Sequence, residues 1–191
     1  MKTAFAIVLL ALSLGCPAED KVPAHPYVKF ETTEGVIVVE LDGRRAPFTV
    51  RNFLSLVDSG YFDGTIFHRV IPGFMIQAGG YTPDLKDKEP DGGIPNESGN
   101  GLLNRRGTIA MARTEEPHSA VAQFYINVAD NASLDPQQSR WGYAVFGEVI
   151  EGMDIVDRIV ASPTGPAGRF KKDVPVVPIV IKKAQRFDYG T

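Results

Sequence analysis

Cysteine is nearly absent: Cys16 is the only one, so no intramolecular disulfide can form. Histidine is scarce, with three residues at positions 25, 68 and 118, and their scatter makes no metal-ligand set. Basic charge is not in excess. Lys and Arg total 20 against 23 Asp and Glu, a net charge of −3, which argues against the broad basic face of a nucleic-acid binder. No GxSxG elbow and no phosphate-binding glycine loop occurs, so the chain carries no signature of a serine hydrolase or a nucleotide-binding enzyme. What remains is ordinary for one globular domain: 43% hydrophobic and 23% charged residues in a chain of 191.

The N-terminus reads as an export leader rather than as part of a fold. Lys2 supplies a short positive region, and Ala4 to Leu14 is apolar but too short to span a bilayer as a mature helix. Two outcomes stay open. Residues 1–18 form a signal peptide cleaved after Ala18, or Leu12-Ser13-Leu14-Gly15-Cys16 acts as a lipoprotein signal with lipid on Cys16, although Ser13 stands where Leu is usual. Either accounts for a lone cysteine in an exported chain. Residues 19–26, with prolines and charges interleaved, read as a tether, residues 27–187 as the domain, and 188–191 as a tail. The expected location is the periplasm or cell envelope.

Along the domain, Tyr27–Phe30 and Val36–Leu41 are β-prone runs joined through ETTEG, with Gly35 in the turn. Val50, Phe53, Leu54 and Val57 fall at helical spacing behind Pro47, and Gly60 sits where a C-terminal cap belongs. Thr65–Ile71, Phe74–Ala78, Thr108–Ala112, Gln123–Val128, Tyr143–Val149 and Val176–Lys182 read as strands. Met153–Val160 reads as a second helix, and Tyr81–Asn104 as a long exposed loop. Many short strands with two helices suggest an antiparallel barrel or sandwich.

The unusual residue is Arg69, set among large apolar side chains in FHRVIPGFMIQAGG. An arginine cannot shed its charge, and burying it unpaired is costly. Alternation puts Phe67, Arg69 and Ile71 on one face and His68 and Val70 on the other. Met75 shares a face with Gln77, and Gln123 with Tyr125 and Asn127, while Phe124, Ile126 and Val128 form a wholly apolar face. Two readings follow. Either these groups line a shallow groove with apolar walls and a few hydrogen-bonding groups, or Arg69 is tied to a core carboxylate and the glutamines are simply solvated.

FDGTIFHRVIPGFMIQAGG resembles the signature of the cyclophilin-type peptidyl-prolyl cis-trans isomerases, and GTIAMAR, VAQFYINVADN, LD and YAVFGEVIEGMDIVDRI resemble later blocks of that family in the same order. The likeness runs from Tyr27 to the last strand and is strongest to the bacterial exported branch. It implies a mainly β fold, a closed eight-stranded antiparallel β-barrel capped by two α-helices. It implies that Arg69 is the catalytic arginine, that Phe74, Met75, Tyr125 and Leu134 wall a proline pocket, and that Gln77 and Gln123 bond the peptide backbone and orient the arginine. Ala112 and Arg113 align with the segment that pairs with bound peptide, and Tyr143 stands where eukaryotic members usually have His. Tyr125 replaces a usual Phe, Ser133 a common aromatic, and Arg113 a common Asn; Trp141 is not the missing aromatic. The implied partners are proline-containing segments of unfolded or flexible proteins, with no nucleic acid, no cofactor and no metal, and the chain is expected to be a monomer. The rival reading is a proline-peptide-binding chaperone module with little turnover, and a third is an inert envelope domain.

Overall fold

The computed structural model describes residues 22–88, 90 and 92–189. Cys16 and Ala18, on which the leader expectations rest, lie outside the described residues. The element order is β1 (Tyr27–Thr32), β2 (Val36–Leu41), α1 (Pro47–Asp58), β3 (Phe67–Ile71), β4 (Met75–Ala78), β5 (Thr108–Met111), β6 (Phe124–Asn127), a 3-10 turn (Ala132–Leu134), β7 (Val145–Glu151), α2 (Met153–Val160), β8 (Thr164–Ala167), β9 (Phe170–Pro175) and β10 (Ile181–Phe187).

Eight strands form one antiparallel sheet in the order β10-β1-β2-β7-β5-β6-β4-β3. The sheet curls until its edges touch. Ile66 and Val180 form an isolated bridge, Phe67 N–H donates to Ile179 O at 2.9 Å, and Ile181 N–H to Thr65 O at 2.8 Å. The expected eight-stranded antiparallel architecture with two helices is therefore present, but it is a curled sheet joined at a short seam rather than a barrel closed by a full ladder. The reason lies in a hairpin that the sequence pattern did not disclose. Strands β8 and β9 pair with each other, and β9 packs beside β3, covering the edge that a closed barrel would join. Covering an edge strand is an alternative to pairing it.

Alternation in β6 is the key to the core. Phe124 and Ile126 point into the curl, where Phe30, Phe53, Phe62, Phe67, Phe124 and Phe146 are all buried in one cluster. Phe30 stacks on Phe124 at 5.4 Å between centroids, and Phe53 meets Phe62 and Phe146 at 4.9 Å each. Helix α1 delivers Phe53 along with Val50, Leu54 and Val57, as its period predicts. Gly60 follows the helix with φ +68, the left-handed conformation that glycine adopts without steric cost. Helix α2 buries Ile155, Val156 and Ile159, while Met153 and Val160 pack at the margin of the core.

Two further expectations are corrected. The last strand is Ile181–Phe187, paired with β1, and not Val176–Lys182. Val176 and Val177 are 67% and 75% exposed, because Pro175 and Pro178 flank them and proline cannot donate to a ladder. The Tyr81–Asn104 segment is irregular but not uniformly exposed: Tyr81, Ser98 and Asn104 are buried.

His68 occupies an added position in β3. The pairing runs Phe67↔Ala78 and then Arg69↔Gln77, so His68 is an extra residue in the ladder. It is buried, 4.6 Å from the Tyr81 ring and 5.8 Å from Phe170 of β9. Burial disfavours its charged form and lowers its pKa from 6.5 to about 4. The cations of Arg69 and Arg169 push the same way, while a hydrogen bond with the Ile66 backbone and the Asp87 charge oppose them.

Unfolded chains therefore bind more protons than folded ones between pH 6.5 and about 4. The stabilisation is full above pH 6.5 and is lost as pH falls through that window, by up to about 3 kcal/mol. Urea unfolding at pH 7 and pH 4.5 is expected to show a smaller acid loss for His68→Gln than for the parent; parallel losses would acquit His68.

Candidate active site

The bulge at His68 decides where Arg69 points. Phe67 lies in the core opposite Ala78, and Arg69 lies on the outer face opposite Gln77. The expectation that Phe67 and Arg69 share a face is thus corrected, because one added residue breaks the two-residue period. Arg69 is exposed and makes no ion pair among the described residues, so it is not locked to a core carboxylate. Its Nη1 donates to Gln77 Oε1 at 3.4 Å, and Gln77 Nε2 donates to Gln123 Oε1 at 2.9 Å. The first contact is long for a hydrogen bond. It steers the guanidinium without neutralising it.

Gly80 makes room for this relay. A Cβ there would lie 2.5 Å from Gln123 Cδ and 2.7 Å from its Nε2. A side chain at position 80 would push Gln123 from its place against Gln77.

Beside Arg69, the outer face of β4, β6, β5 and β7 carries a second apolar cluster. Met75, Ala110, Tyr125 and Val145 are buried in it, and Ile71, Phe74, Leu102, Ala112, Leu134 and Tyr143 pack around them. The four residues implied as pocket walls, Phe74, Met75, Tyr125 and Leu134, are therefore brought together, with Ala112 and Tyr143 alongside. Phe74 comes off the turn after β3, where its N–H donates to Ile71 O at 3.1 Å, and Leu134 ends the 3-10 turn. The Tyr125 and Tyr143 rings meet edge to face at 6.0 Å.

The extra hydroxyl of Tyr125 is satisfied: it donates to Asn104 Oδ1 at 2.7 Å. Burial pushes its pKa up, with Tyr143 and the nearby Asp135 carboxylate adding to the effect, so Tyr125 stays neutral and remains a donor. Asn104, Asn127, Asn131 and Asp135 form a polar layer beneath the cup that sequence reasoning did not single out as functional. Alternation had placed Asn127 on the face of Tyr125, which was the one available signal.

Arg113 keeps its charge at the groove edge, but its N–H groups are committed to backbone carbonyls. Its Nε donates to Gly142 O at 3.2 Å, its Nη1 to Thr114 O at 2.8 Å and Glu115 O at 3.2 Å, and its Nη2 to Trp141 O at 2.8 Å. Its guanidinium also lies 4.6 Å from the Tyr143 ring centre. It thereby ties the Trp141 loop to the end of β5. Trp141 is 47% exposed against His118, outside the cup, and Ser133 is exposed. Ala112 N–H donates to Gln123 O at 2.9 Å. A cavity of about 120 Å³ opens between Gln77, Gln123, Ala112 and Arg113. A larger one of about 440 Å³, under the loop at 101–106, contains neither Arg69 nor either glutamine. No group of three metal-ligating side chains occurs among the described residues.

This geometry suits binding and reorienting a peptide, and three comparisons agree. The sequence profile of the cyclophilin-type peptidyl-prolyl cis-trans isomerases matches residues 27–186. The chain is 55% identical over 161 residues to a peptidyl-prolyl cis-trans isomerase of Streptomyces antibioticus, covering 83% of this chain and 96% of that one. It is 47% identical over 182 residues to peptidyl-prolyl cis-trans isomerase A of Dickeya dadantii, covering 95% of each. A crystal structure of a Cryptosporidium parvum cyclophilin-type isomerase superposes with a TM-score of 0.70 at 26% identity, over 86% of this chain and 99% of that one. The same Cryptosporidium protein has been crystallised in the presence of the dipeptide Ala-Pro. The chain belongs to the cyclophilin-type peptidyl-prolyl cis-trans isomerase family.

Proposed function

We propose that this isomerase seats the ring of a substrate proline in the cup of Phe74, Met75, Tyr125 and Leu134, while Arg69 drives rotation about the preceding bond. Amide resonance sets a rotation barrier of about 18–20 kcal/mol, and X–Pro isomers exchange over tens to hundreds of seconds. No bond breaks, so neither a nucleophile nor a metal has chemistry to perform. The catalyst must favour the twisted form, in which the nitrogen regains its lone pair. The Arg69 guanidinium donates toward that lone pair, Gln77 fixes its plane, and Gln123, Ala112 and Arg113 border the flanking peptide. Bound peptide covers the exposed guanidinium and dries the contact as charge develops.

The required effect is modest. Raising a rate of about 0.01 per second to about 10 per second needs a thousandfold, or about 4 kcal/mol. A preorganised donor aimed at a transition state supplies about 2.7–4 kcal/mol. The observation that carries this reading is Arg69 itself, unpaired with any described carboxylate, steered by Gln77 and bordering the apolar cup. A module that only bound proline peptides would need the cup but not the steered cation.

We also place its work on exported proteins, on the strength of Lys2 and the apolar run Ala4 to Leu14. Its substrates there would be loops and unfolded segments holding X–Pro bonds.

Arg69→Ala and Arg69→Lys are expected to lose most of the isomerisation of a short X–Pro peptide, about a hundredfold or more, while peptide binding and the fold persist. Lysine keeps the charge but loses the planar fork. Wild-type turnover by Arg69→Ala would overturn the mechanism. In Gly80→Ala the added methyl displaces Gln123 from Gln77; kcat/KM should fall about tenfold with little change in Tm, because only a flexible side chain must move. Intact mass of the chain recovered from cells should show either an N-terminus after Ala18 or a lipid-modified Cys16. An unprocessed chain beginning at Met1 would remove the export proposal.

A further inference from the structure

In the polar layer beneath the proline cup, Asn104, Asn127 and Asn131 are buried, Asp135 is half-buried, and all four are joined by hydrogen bonds. Asn104 is fully buried at its centre. Its Oδ1 accepts from the Tyr125 hydroxyl at 2.7 Å and from Asn127 Nδ2 at 3.2 Å. Its Nδ2 and its backbone N–H both donate to Asp135 Oδ1, at 3.0 and 2.7 Å. Its carbonyl accepts from Asn131 N–H at 2.8 Å, and Asn131 Nδ2 reaches Phe74 O at 2.8 Å. Asp135 follows Leu134 directly, and Leu134 N–H returns to Asn131 O at 2.8 Å.

Through its side chain and backbone together, this one residue reaches three of the four walls, and its side chain alone reaches Asn131 by way of Asn127, whose Oδ1 accepts from Asn131 Nδ2 at 2.7 Å. Tyr125 is held directly, Leu134 through the adjoining Asp135, and Phe74 through Asn131. These walls come from different parts of the chain: Phe74 from the β3–β4 turn, Tyr125 from β6 and Leu134 from the 3-10 turn. Apolar contact alone lets such elements slide, since it has no direction. Hydrogen bonds fix distance and angle. Burying this many polar groups would be costly if any were left unpaired. Pairing all of them yields a rigid frame.

We propose that Asn104 is a positioning residue that sets the width of the proline cup, acting through the Tyr125 hydroxyl and the Asp135 carboxylate without touching the substrate. This rests on the reading of the cup as the proline site. Arg69 is steered through Gln77, and Gln77 through Gln123, by a relay separate from the Asn104 hydrogen bonds above, so the frame should govern how the ring is held more than how the bond turns. A wall displaced by about 1 Å is enough to cost up to a hundredfold in a positioned site.

The test is a double-mutant cycle on the purified chain, using an end-blocked Ala-Ala-Pro-Phe peptide. Isomerisation kinetics are paired with a direct titration of peptide binding, at a temperature where near-UV circular dichroism shows each variant folded. Asn104→Ala is expected to raise KM and the dissociation constant about tenfold while kcat stays within about twofold. Tyr125→Phe should weaken binding about threefold. The double variant should be no weaker than Asn104→Ala, because both changes break the same bond. A merely structural role would lower Tm and leave KM unmoved. If Asn104→Ala does not fold, Asp135→Asn, which weakens the charged anchor at nearly constant size, should raise KM several-fold. Unchanged KM in a folded variant, or strictly additive losses in the cycle, overturns the proposal. Arg69→Ala serves as the control. If it turns over like the parent, the catalytic reading fails, while the binding titration still judges Asn104.

Discussion

One additional residue in β3 determines the direction of Arg69. Without His68 bulging out of the ladder, Phe67 and Arg69 would lie on the same face, and either a phenylalanine would face solvent or a guanidinium would enter the aromatic core. The bulge sends Phe67 inward against Phe124 and its neighbours and Arg69 outward beside Met75 and Phe74. The cost is a buried imidazole, which the Tyr81 and Phe170 rings enclose and which stays neutral because burial resists its protonation. The β8–β9 hairpin that supplies Phe170 also covers the β3 edge, so edge protection and placement of the site residue depend on the same contact.

The sheet then serves two interiors. Its inner face holds the phenylalanine cluster, and its outer face holds a smaller apolar cluster that is open on one side as the cup. Strand β6 is buried on both faces, with Phe124 and Ile126 on one side and Tyr125 and Asn127 on the other. A wall built on such a strand cannot shift without disturbing the main core, which suits a pocket that must stay shaped when empty. The cations are divided by function. Arg113 donates to four backbone carbonyls and holds a loop, whereas Arg69 makes one long side-chain contact, to Gln77, and points its donors beside the cup.

The residues that sequence reading handled well share one property: their neighbours are close in sequence or follow a fixed period. Helix α1 was legible from Val50, Phe53, Leu54 and Val57, and the outer and inner faces of β6 from simple alternation. The pocket walls were legible only through the family signature, since nothing in the spacing of Phe74, Tyr125 and Leu134 says that they meet. The β8–β9 hairpin is not legible in the sequence because TGPA and FKKDVP carry no clear apolar period. The β propensity of Val176 and Val177 points to a strand there, but Pro175 and Pro178 beside them keep it out of the ladder, and the last strand begins at Ile181. The face of Phe67 was misassigned because alternation assumes an unbroken ladder, and a bulge is a property of two paired strands rather than of one.

By itself, then, the sequence determined the strand and helix inventory in its periodic stretches, the family, and the identity of Arg69 as the odd charge among apolar neighbours. These depend on local backbone geometry and on motif order, both of which are written along the chain. Tertiary structure alone decided that the curled sheet meets at a short seam, that Arg69 makes no ion pair among the described residues, and that Asn104 ties Tyr125 to the neighbours of Leu134 and Phe74. Each of these turns on atoms whose residues lie far apart in the chain, and the hydrogen bonds joining them are too short-ranged and directional to be specified before the strands are in register.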